Sequence, residues 1–335
     1  MNLENPFRVP EARKPERSKI EEKEYQNRMN LGPRWNKRKI TTEVLQERGI
    51  KLDLGDIEEY SKQRERHQMM KSSEAPGLAE EVFLEGIDTG GMTKEGRNQP
   101  YSWLSHTVVA YPSHPHDDVL RGTDAVLMFI DEENERLAHP VAVDITTNRM
   151  GYDKKFSMDL NRIRGRGLSK IYWAETAAGK GEYFDNPEGK MEALNLSVYI
   201  PKEAVNKFMN PNVSNEEADQ LMAKLGPFVR RQMQAELEAQ AMRLLGLNPR
   251  EARRLSQKGL LTMLEAPMSG EHPAGFESAK RLLVGVLPIV WNAVDELGGL
   301  VSQREQLLPE AIQERPPLRT DAKEKRVASI SNIRH

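Results

Sequence analysis

Two aspartates lie in apolar segments that predict neighbouring β-strands. Asp124 opens the segment Thr123–Asp131, and Asp144 lies inside Pro140–Thr147. A carboxylate within an apolar strand is unfavourable unless it is paired, hydrogen-bonded or metal-bound. Adjacent strands lie roughly 4.8 Å apart, so both carboxylates can reach one cation. Because every ligand would be an oxygen, the pair favours Mg²⁺ or Mn²⁺, and such an ion can activate water and polarise a phosphodiester.

Each aspartate also has a structural explanation. Asp124 follows a Gly-Thr pair, and an aspartate in that position is ordinary turn chemistry. Asp144 can form a buried ion pair with Arg149 or Lys154. Asp144 is the more informative of the two, because turn chemistry does not explain a carboxylate inside a strand.

A second polar segment, His114–Asp118, lies just before the predicted strand Thr123–Asp131. His114 and His116, together with the neighbouring aspartates, offer ligands for Zn²⁺. The flanking prolines predict an extended loop, and the sequence contains no HExxH pattern. The favoured interpretation is that Asp117 or Asp118 lines the rim of the Asp124–Asp144 site.

A basic segment ends an amphipathic helix that is predicted over about Lys154–Ile163. Its cations are interleaved with glycines and comprise Arg162, Arg164, Arg166 and Lys170. Glycine permits close backbone approach and the cations bind phosphates, so the segment is a candidate contact for a nucleic-acid backbone. The alternative is a basic helix end whose charges complement the helix dipole.

The aspartates require a sheet with covered faces. A helix is predicted at Pro76–Glu85, and strands at Thr107–Tyr111, Thr123–Asp131, Pro140–Thr147, Lys170–Ala174 and Leu194–Ile200. The two Asp-bearing strands are predicted to pair antiparallel through a polar loop. Their near-continuous apolar character indicates burial on both faces. The predicted fold class is therefore α/β: a small mixed sheet flanked by helices, with a helical C-terminal extension.

Four segments are predicted along the chain: a disordered charged arm over 1–75, an α/β core over 76–200, a helical extension packed on the core over 201–309, and a flexible tail over 310–335. Within the arm, a short helix is predicted near Thr42–Glu47. Within the extension, a long helix is predicted at Asn215–Leu245, with Pro227 kinking or splitting it.

Composition excludes several classes of protein and site. The absence of cysteine rules out disulfides and thiolate metal sites. The formal net charge of −2 gives no global positive field, so nucleic-acid binding requires a local patch. The longest apolar run, Leu282–Val294, is too short to cross a bilayer as a helix, and the first 30 residues lack the apolar segment of a secretory signal. We therefore expect a cytoplasmic protein that is not bound to membranes.

The order of these elements resembles the restriction-endonuclease-like superfamily, named PD-(D/E)XK after its motif. That family's core is helix, three strands, helix, strand. An acid often lies on the leading helix, an Asp opens the second strand, and the third strand carries an acid, a spacer and a Lys. The resemblance covers about residues 76–200. It implies a Mg- or Mn-dependent endonuclease in which Asp124 and Asp144 are catalytic metal ligands. It also implies that Glu81 or Glu85 is the acid of the leading helix. The alternative for both glutamates is that they lie on a solvated helix face.

One position departs from the family pattern. Thr146 stands where the family has its lysine. In some relatives this lysine lies on the following helix, so the resemblance implies that Lys154 or Lys155 supplies it. DNA or RNA is the expected substrate. Three alternatives stay open. The first is a nuclease-derived protein that binds nucleic acid without cleaving it, and the second is a non-catalytic protein whose helices after Pro201 bind a protein partner. The third is another α/β fold in which the acidic pair is structural.

Overall fold

The computed structural model describes residues 26, 35, 39–70, 75–88, 103–104, 108–131, 136–165, 168–173, 189–210, 212–248, 251, 254–268, 272 and 275–301. Residues 1–298 belong to one unit of structure and residues 299–335 to a second. Of the second unit, only residues 299–301 are described, and they are the end of a helix.

The described helices are α1 (Thr42–Glu47), α2 (Leu54–Met70), α3 (Ala75–Asp88), α4 (Pro115–Arg121), α5 (Arg149–Gly165), α6 (Lys202–Phe208), α7 (Asn215–Leu244), α8 (Gln257–Glu265) and α9 (Phe276–Val301). The strands are β1 (Val108–Pro112), β2 (Ala125–Asp131), β3 (Arg136–Thr146), β4 (Ser169–Trp173) and β5 (Gly189–Tyr199). None of the described helices combines the length and the apolar character needed to cross a membrane.

The strands form a mixed sheet in the order β1-β2-β3-β5-β4. β1, β2 and β3 pair antiparallel, β5 is parallel to β3, and β4 is antiparallel to β5. The predicted antiparallel pair of Asp-bearing strands is confirmed, with Ala125 opposite Val143. Asp144 lies opposite Ser197 on β5. The α/β fold class with a mixed sheet flanked by helices is confirmed.

Both faces of the sheet are buried, as the apolar strands predict. On β3, Val141, Val143 and Ile145 belong to the larger hydrophobic cluster, which also contains residues of α3, α6, α7, α8 and α9. Ala142 and Val126 belong to the opposite cluster, which is completed by β4, the start of β5 and residues of α1. The alternation of β3 side chains between two apolar environments explains why its sequence shows no polar face.

The segment that covers the second face was predicted to be disordered. Within residues 1–75, residues 39–70 form α1, α2 and their connections, and Ile40 and Leu45 are fully buried. α1 begins where Thr41 accepts a hydrogen bond from the N–H of Val44 (3.3 Å), and its predicted bounds are confirmed. Disorder is therefore wrong for residues 39–70, because a few apolar residues in a polar segment are enough to dock it on an existing sheet.

The long helix α7 protects an edge of the sheet. β4 pairs only with the first residues of β5, so the later residues of β5 have backbone groups without a strand partner on that side. Side chains one helical turn apart on α7 bind these groups. Gln232 accepts from the N–H of Tyr199 (2.9 Å) and donates to its C=O (3.0 Å). Glu236 accepts from the N–H of Ser197 (3.1 Å), and Gln240 donates to a carbonyl of the same strand (2.6 Å). α7 thus replaces the next strand.

Two helix boundaries differ from the predicted ones. Pro227 lies inside α7 without ending it, so the chain does not split there. α5 begins at Arg149 rather than near Lys154, because the Asn148 side chain accepts from the N–H groups of Met150 (3.0 Å) and Gly151 (3.3 Å). The earlier start of α5 places Lys155 two turns into the helix that follows β3.

Candidate functional site

Asp124 and Asp144 lie side by side at the end of the β2–β3 pair. Asp124 immediately precedes β2, and its N–H donates to the carbonyl of Val143 (2.8 Å). Its Oδ2 accepts from the N–H of Ile145 (2.6 Å), an amide to which β2 itself offers no partner. Asp144 is the residue between these two contacts. The carboxyl groups of Asp124 and Asp144 consequently come within hydrogen-bonding reach of each other.

Lys155 completes this group from α5. Its ammonium donates a hydrogen bond to Oδ1 of Asp144, and both side chains are partly exposed. Lys154, the other predicted lysine, lies on the exposed surface of α5. Of the two candidates, Lys155 is therefore the one that reaches the aspartates.

Gly122 packs against Oδ2 of Asp144, whereas Lys155 contacts Oδ1. It ends α4 in the left-handed conformation, with φ of 65°, which favours glycine. A Cβ at this position would lie 3.2 Å from Oδ2 of Asp144. The backbone of the α4–β2 turn is therefore packed directly against the carboxylate.

The surroundings of Asp124 disfavour a negative charge. Burial raises the pKa of Asp124 well above its ordinary value, and the charges of Glu80, Asp144 and Asp118 raise it further. The hydrogen bond from the N–H of Ile145 opposes this shift. The environment of Asp124 therefore favours either a protonated carboxyl or a cation bound next to it.

Asp144 experiences the same burial with more compensation. Burial raises its pKa, while the charge and hydrogen bond of Lys155 lower it, and the charge of Asp159 raises it again. The hydrogen bond with Asp124 also lowers the pKa of Asp144. Asp144 is thus the more readily ionised member of the pair, and Asp124 is the more readily protonated one.

A second carboxyl pair lies deeper in the fold. Asp159 accepts from the hydroxyl of Ser197 (2.8 Å), and Glu236 accepts from the N–H of the same serine. Burial raises the pKa of both carboxyls, that of Glu236 well above its ordinary value. Oε2 of Glu236 has no geometrically suitable hydrogen-bond partner among the described residues. The sequence analysis did not identify this pair, although Asp159 follows Lys155 by one helical turn.

Another acid on α3 acts on Asp124, while Glu81 or Glu85 as the helix acid stays a prediction. The charge of Glu80 on α3, rather than that of Glu81, raises the pKa of Asp124. Glu81 is half-buried, and Glu85 is fully buried. The alternative of a solvated helix face is therefore wrong for Glu85.

The described members of the basic segment lie on two different elements, α5 and β4. Arg162 pairs with Asp159 (3.7 Å), and Arg164 lies in the last turn of α5. Arg166 falls outside the described residues. Lys170 is exposed on β4. This strand pairs with β5 and not with β2, which follows Asp124, or β3, which contains Asp144. Phosphate binding by this segment stays a prediction.

The predicted loop around His114 is a helix. His114 caps α4 with Nδ1, which accepts from the N–H of His116 (3.2 Å), and Pro115 occupies the first helical position, which suits its fixed φ. The extended-loop prediction is therefore wrong. Asp118 lies close enough for its charge to raise the pKa of Asp124, as predicted for a rim residue, whereas Asp117 bonds to Arg121 on the other side.

No three His, Asp or Glu side chains form a ready-made metal cage within the described part of the chain. The donor chemistry of Asp124 and Asp144 still fits Mg²⁺ or Mn²⁺, because Mg²⁺ in proteins usually keeps several waters and takes only one or two carboxylates. In comparisons with known proteins, no family model, no curated protein and no solved structure matches this chain.

Proposed function

We propose that this chain is a metal-dependent phosphodiesterase of the nuclease type, built on a restriction-endonuclease-like core. The observation that carries the proposal is the convergence of Asp124, Asp144 and Lys155 at one end of the sheet. The lysine comes from the helix after the third strand, where the resemblance implies that a displaced lysine would lie. Chance placement of a lone aspartate does not account for all three groups together.

The order of elements supports the same proposal. A leading helix, α3, is followed by three strands, β1 to β3, then by the helix α5 and by β5. This is the helix, three strands, helix, strand order that the resemblance implies. The short helix α4 and the strand β4 are additions, and neither interrupts the pairing of β2 with β3 or of β3 with β5.

Asp124 and Asp144 are the residues that would hold the metal ion. Burial raises the pKa of both carboxyls, and the charges of Glu80 and Asp144 raise that of Asp124 further, so a cation beside them would favour the ionised forms. A bound Mg²⁺ or Mn²⁺ supplies Lewis-acid chemistry, which makes water more acidic and offsets charge that develops on phosphate oxygens. Glu80 and Asp118 add negative charge around Asp124 that would strengthen cation binding.

Lys155 is the group that would contact the substrate phosphate. Its ammonium is fixed beside Asp144 and is partly exposed, so it can donate to a phosphate oxygen that approaches from solvent. Asp159 lies one turn further along α5, and its charge also acts near Lys155. The hydrogen bond to Asp144 holds the ammonium, and the charge of Asp159 adds to its attraction to this position.

Cleavage assays on single-stranded DNA, duplex DNA and RNA with Mg²⁺ or Mn²⁺ test the proposal. Lys155→Met should lower the cleavage rate about 100-fold or more, the scale seen when a group that stabilises developing charge is removed. Lys154→Met, a neighbouring and exposed lysine on the same helix, is the matched control and should change the rate less than twofold. No cleavage by wild type would favour a non-catalytic nucleic-acid-binding protein, whereas equal rates for the two variants would exclude Lys155 from the reaction.

A further inference from the structure

A cluster of hydrogen-bond donors lies apart from the Asp124–Asp144 site and converges on a single carboxylate oxygen. Oδ2 of Asp56 on α2 accepts from Nη2 of Arg121 (2.9 Å), the hydroxyl of Tyr172 (2.9 Å) and Nζ of Lys190 (2.8 Å). The three donors come from α4, β4 and β5, whereas Asp56 comes from the N-terminal segment. We call these three donor residues the donor cradle.

The donor cradle is held in place without help from α2. Asp117, which is fully buried, accepts from Nη1 of Arg121 (2.8 Å) through one oxygen and from the N–H of Tyr172 (2.8 Å) through the other. The ammonium of Lys190 lies 4.9 Å from the centre of the Tyr172 ring. The core therefore holds the guanidinium and the backbone of the tyrosine, and the ring anchors the lysine. The Tyr172 hydroxyl also accepts from the N–H of Asp53, which precedes α2 (2.8 Å).

The helix that fills the donor cradle is held by few apolar contacts. On α2, Leu54 is 82% exposed and Ile57 is 38% exposed. Tyr60 stacks on His116 with ring centres 4.1 Å apart. Because the apolar side chains described on α2, over residues 54–64, bury little surface, polar contacts such as those of Asp56 carry much of the attachment of this part of the helix.

The donor cradle has the chemistry of an anion site. Arg121 and Lys190 carry two positive charges, and Asp117 contributes at most one negative charge. Asp53, whose carboxylate lies 3.6 Å from Nζ of Lys190, belongs to the same N-terminal segment as Asp56, so without that segment the cradle is positive. The cradle is also open at its rim, since the side chains of Asp56, Arg121 and Lys190 are 20%, 18% and 29% exposed. Nη2 of the guanidinium, an ammonium and a phenol hydroxyl together match the several acceptor oxygens of a phosphate group.

We propose that Arg121, Tyr172 and Lys190 form a binding site for a phosphate group, free or as a monoester, and that Asp56 is its built-in occupant. A phosphate ligand competes with the Asp56 carboxylate for the same donors and thereby releases α2 from the core. This site is independent of the Asp124–Asp144 pair, and its test requires no catalysis.

Calorimetric titration at constant ionic strength tests the site, with inorganic phosphate and methyl phosphate as parallel probes. Asp56→Asn keeps the shape of the side chain but removes its charge, so it should bind phosphate at least tenfold more tightly than wild type. Glu58→Gln, an exposed charge change on the same helix, is the matched control and should leave the affinity unchanged. Tighter methyl phosphate would mean that the ligand is an ester, and tighter inorganic phosphate that it is the free ion. Equal affinities of wild type and Asp56→Asn would overturn the proposal.

Hydrogen exchange on wild type provides a second test that does not depend on the folding of Asp56→Asn. Phosphate should accelerate exchange of the α2 amides, and Lys190→Gln should weaken the affinity for phosphate by at least tenfold. Lys207→Gln, an exposed lysine on α6, should retain wild-type affinity. If phosphate binds but exchange in α2 is unchanged, or if both lysine variants bind equally, the cradle is not the site.

Discussion

The ammonium of Lys155 contacts the carboxylate of Asp144 from the helix that follows the strand of that aspartate. This contact brings a cation to a pair of acids whose ionised forms burial disfavours. It also answers which of two adjacent lysines reaches the site. The consequences for stability, pH dependence and metal binding can each be measured.

Asp124→Asn should change the pH dependence of stability. Burial, followed by the charge of Glu80, raises the pKa of Asp124, so the folded chain retains a proton that the unfolded chain releases above its ordinary pKa of 3.8. The unfolding free energy of wild type therefore falls as the pH rises above that value. Urea unfolding from about pH 4 to about pH 8 should show wild type losing stability relative to Asp124→Asn. Parallel curves would mean that Asp124 is ionised in the fold without cost.

His114 should destabilise the fold at acidic pH. Burial, followed by the charges of His116 and Lys39, lowers the pKa of His114 from 6.5 to about 4. The unfolded chain therefore takes up a proton that the folded chain refuses, and stability falls as the pH drops through this window, by at most about 3 kcal/mol. His114→Asn keeps an acceptor for the helix cap and should flatten the curve between these pH values. An unchanged slope in thermal unfolding would contradict the burial of a neutral His114.

Gly122→Ala should damage the site as well as the backbone. The left-handed conformation alone costs an alanine about 1 kcal/mol, and the new Cβ would also crowd Oδ2 of Asp144. Gly49→Ala is a matched control, since its φ is 75° but no atom lies within 4 Å of the added Cβ. Chemical unfolding should show the larger loss for Gly122→Ala. Equal losses would indicate that Asp144 can move away at no cost.

Gln232→Ala should loosen the protected edge of the sheet. Both backbone groups of Tyr199 would lose their partner, which costs about 1–3 kcal/mol for buried groups. Gln234→Ala, on the same helix, removes only a side-chain contact with Glu238 and should cost less than about 0.5 kcal/mol. Amide exchange at Tyr199 should accelerate in the first variant alone. Faster exchange in neither variant would show that water replaces Gln232 without penalty.

Hydrophobic pattern was sufficient to predict the part of the fold that carries the aspartates. The pairing of the Asp-bearing strands follows from two apolar runs joined by a short polar loop, and the burial of both faces follows from their lack of alternation. Asp144 stood out because no local structure explains a carboxylate there. These features depend on residues near one another in the sequence, which is why a single sequence reveals them.

Other parts of the site depend on long-range packing. The choice between Lys154 and Lys155 depends on where α5 begins, which the side chain of Asn148 decides. The pairing of Asp159 with Glu236 joins α5 to a distant helix, and no spacing in the sequence indicates it. The burial of Ile40 likewise depends on a sheet face that composition alone does not reveal.

Calorimetric titration of Mg²⁺ and Mn²⁺ into wild type and Asp144→Asn tests the metal site most directly. The asparagine keeps the shape of the side chain and an acceptor for Lys155 but removes the charge, so metal affinity should fall at least tenfold. Asp153→Asn, an exposed aspartate on α5, should bind the metal as wild type does. Equal binding by wild type and Asp144→Asn would exclude Asp144 as a ligand and contradict the proposed site.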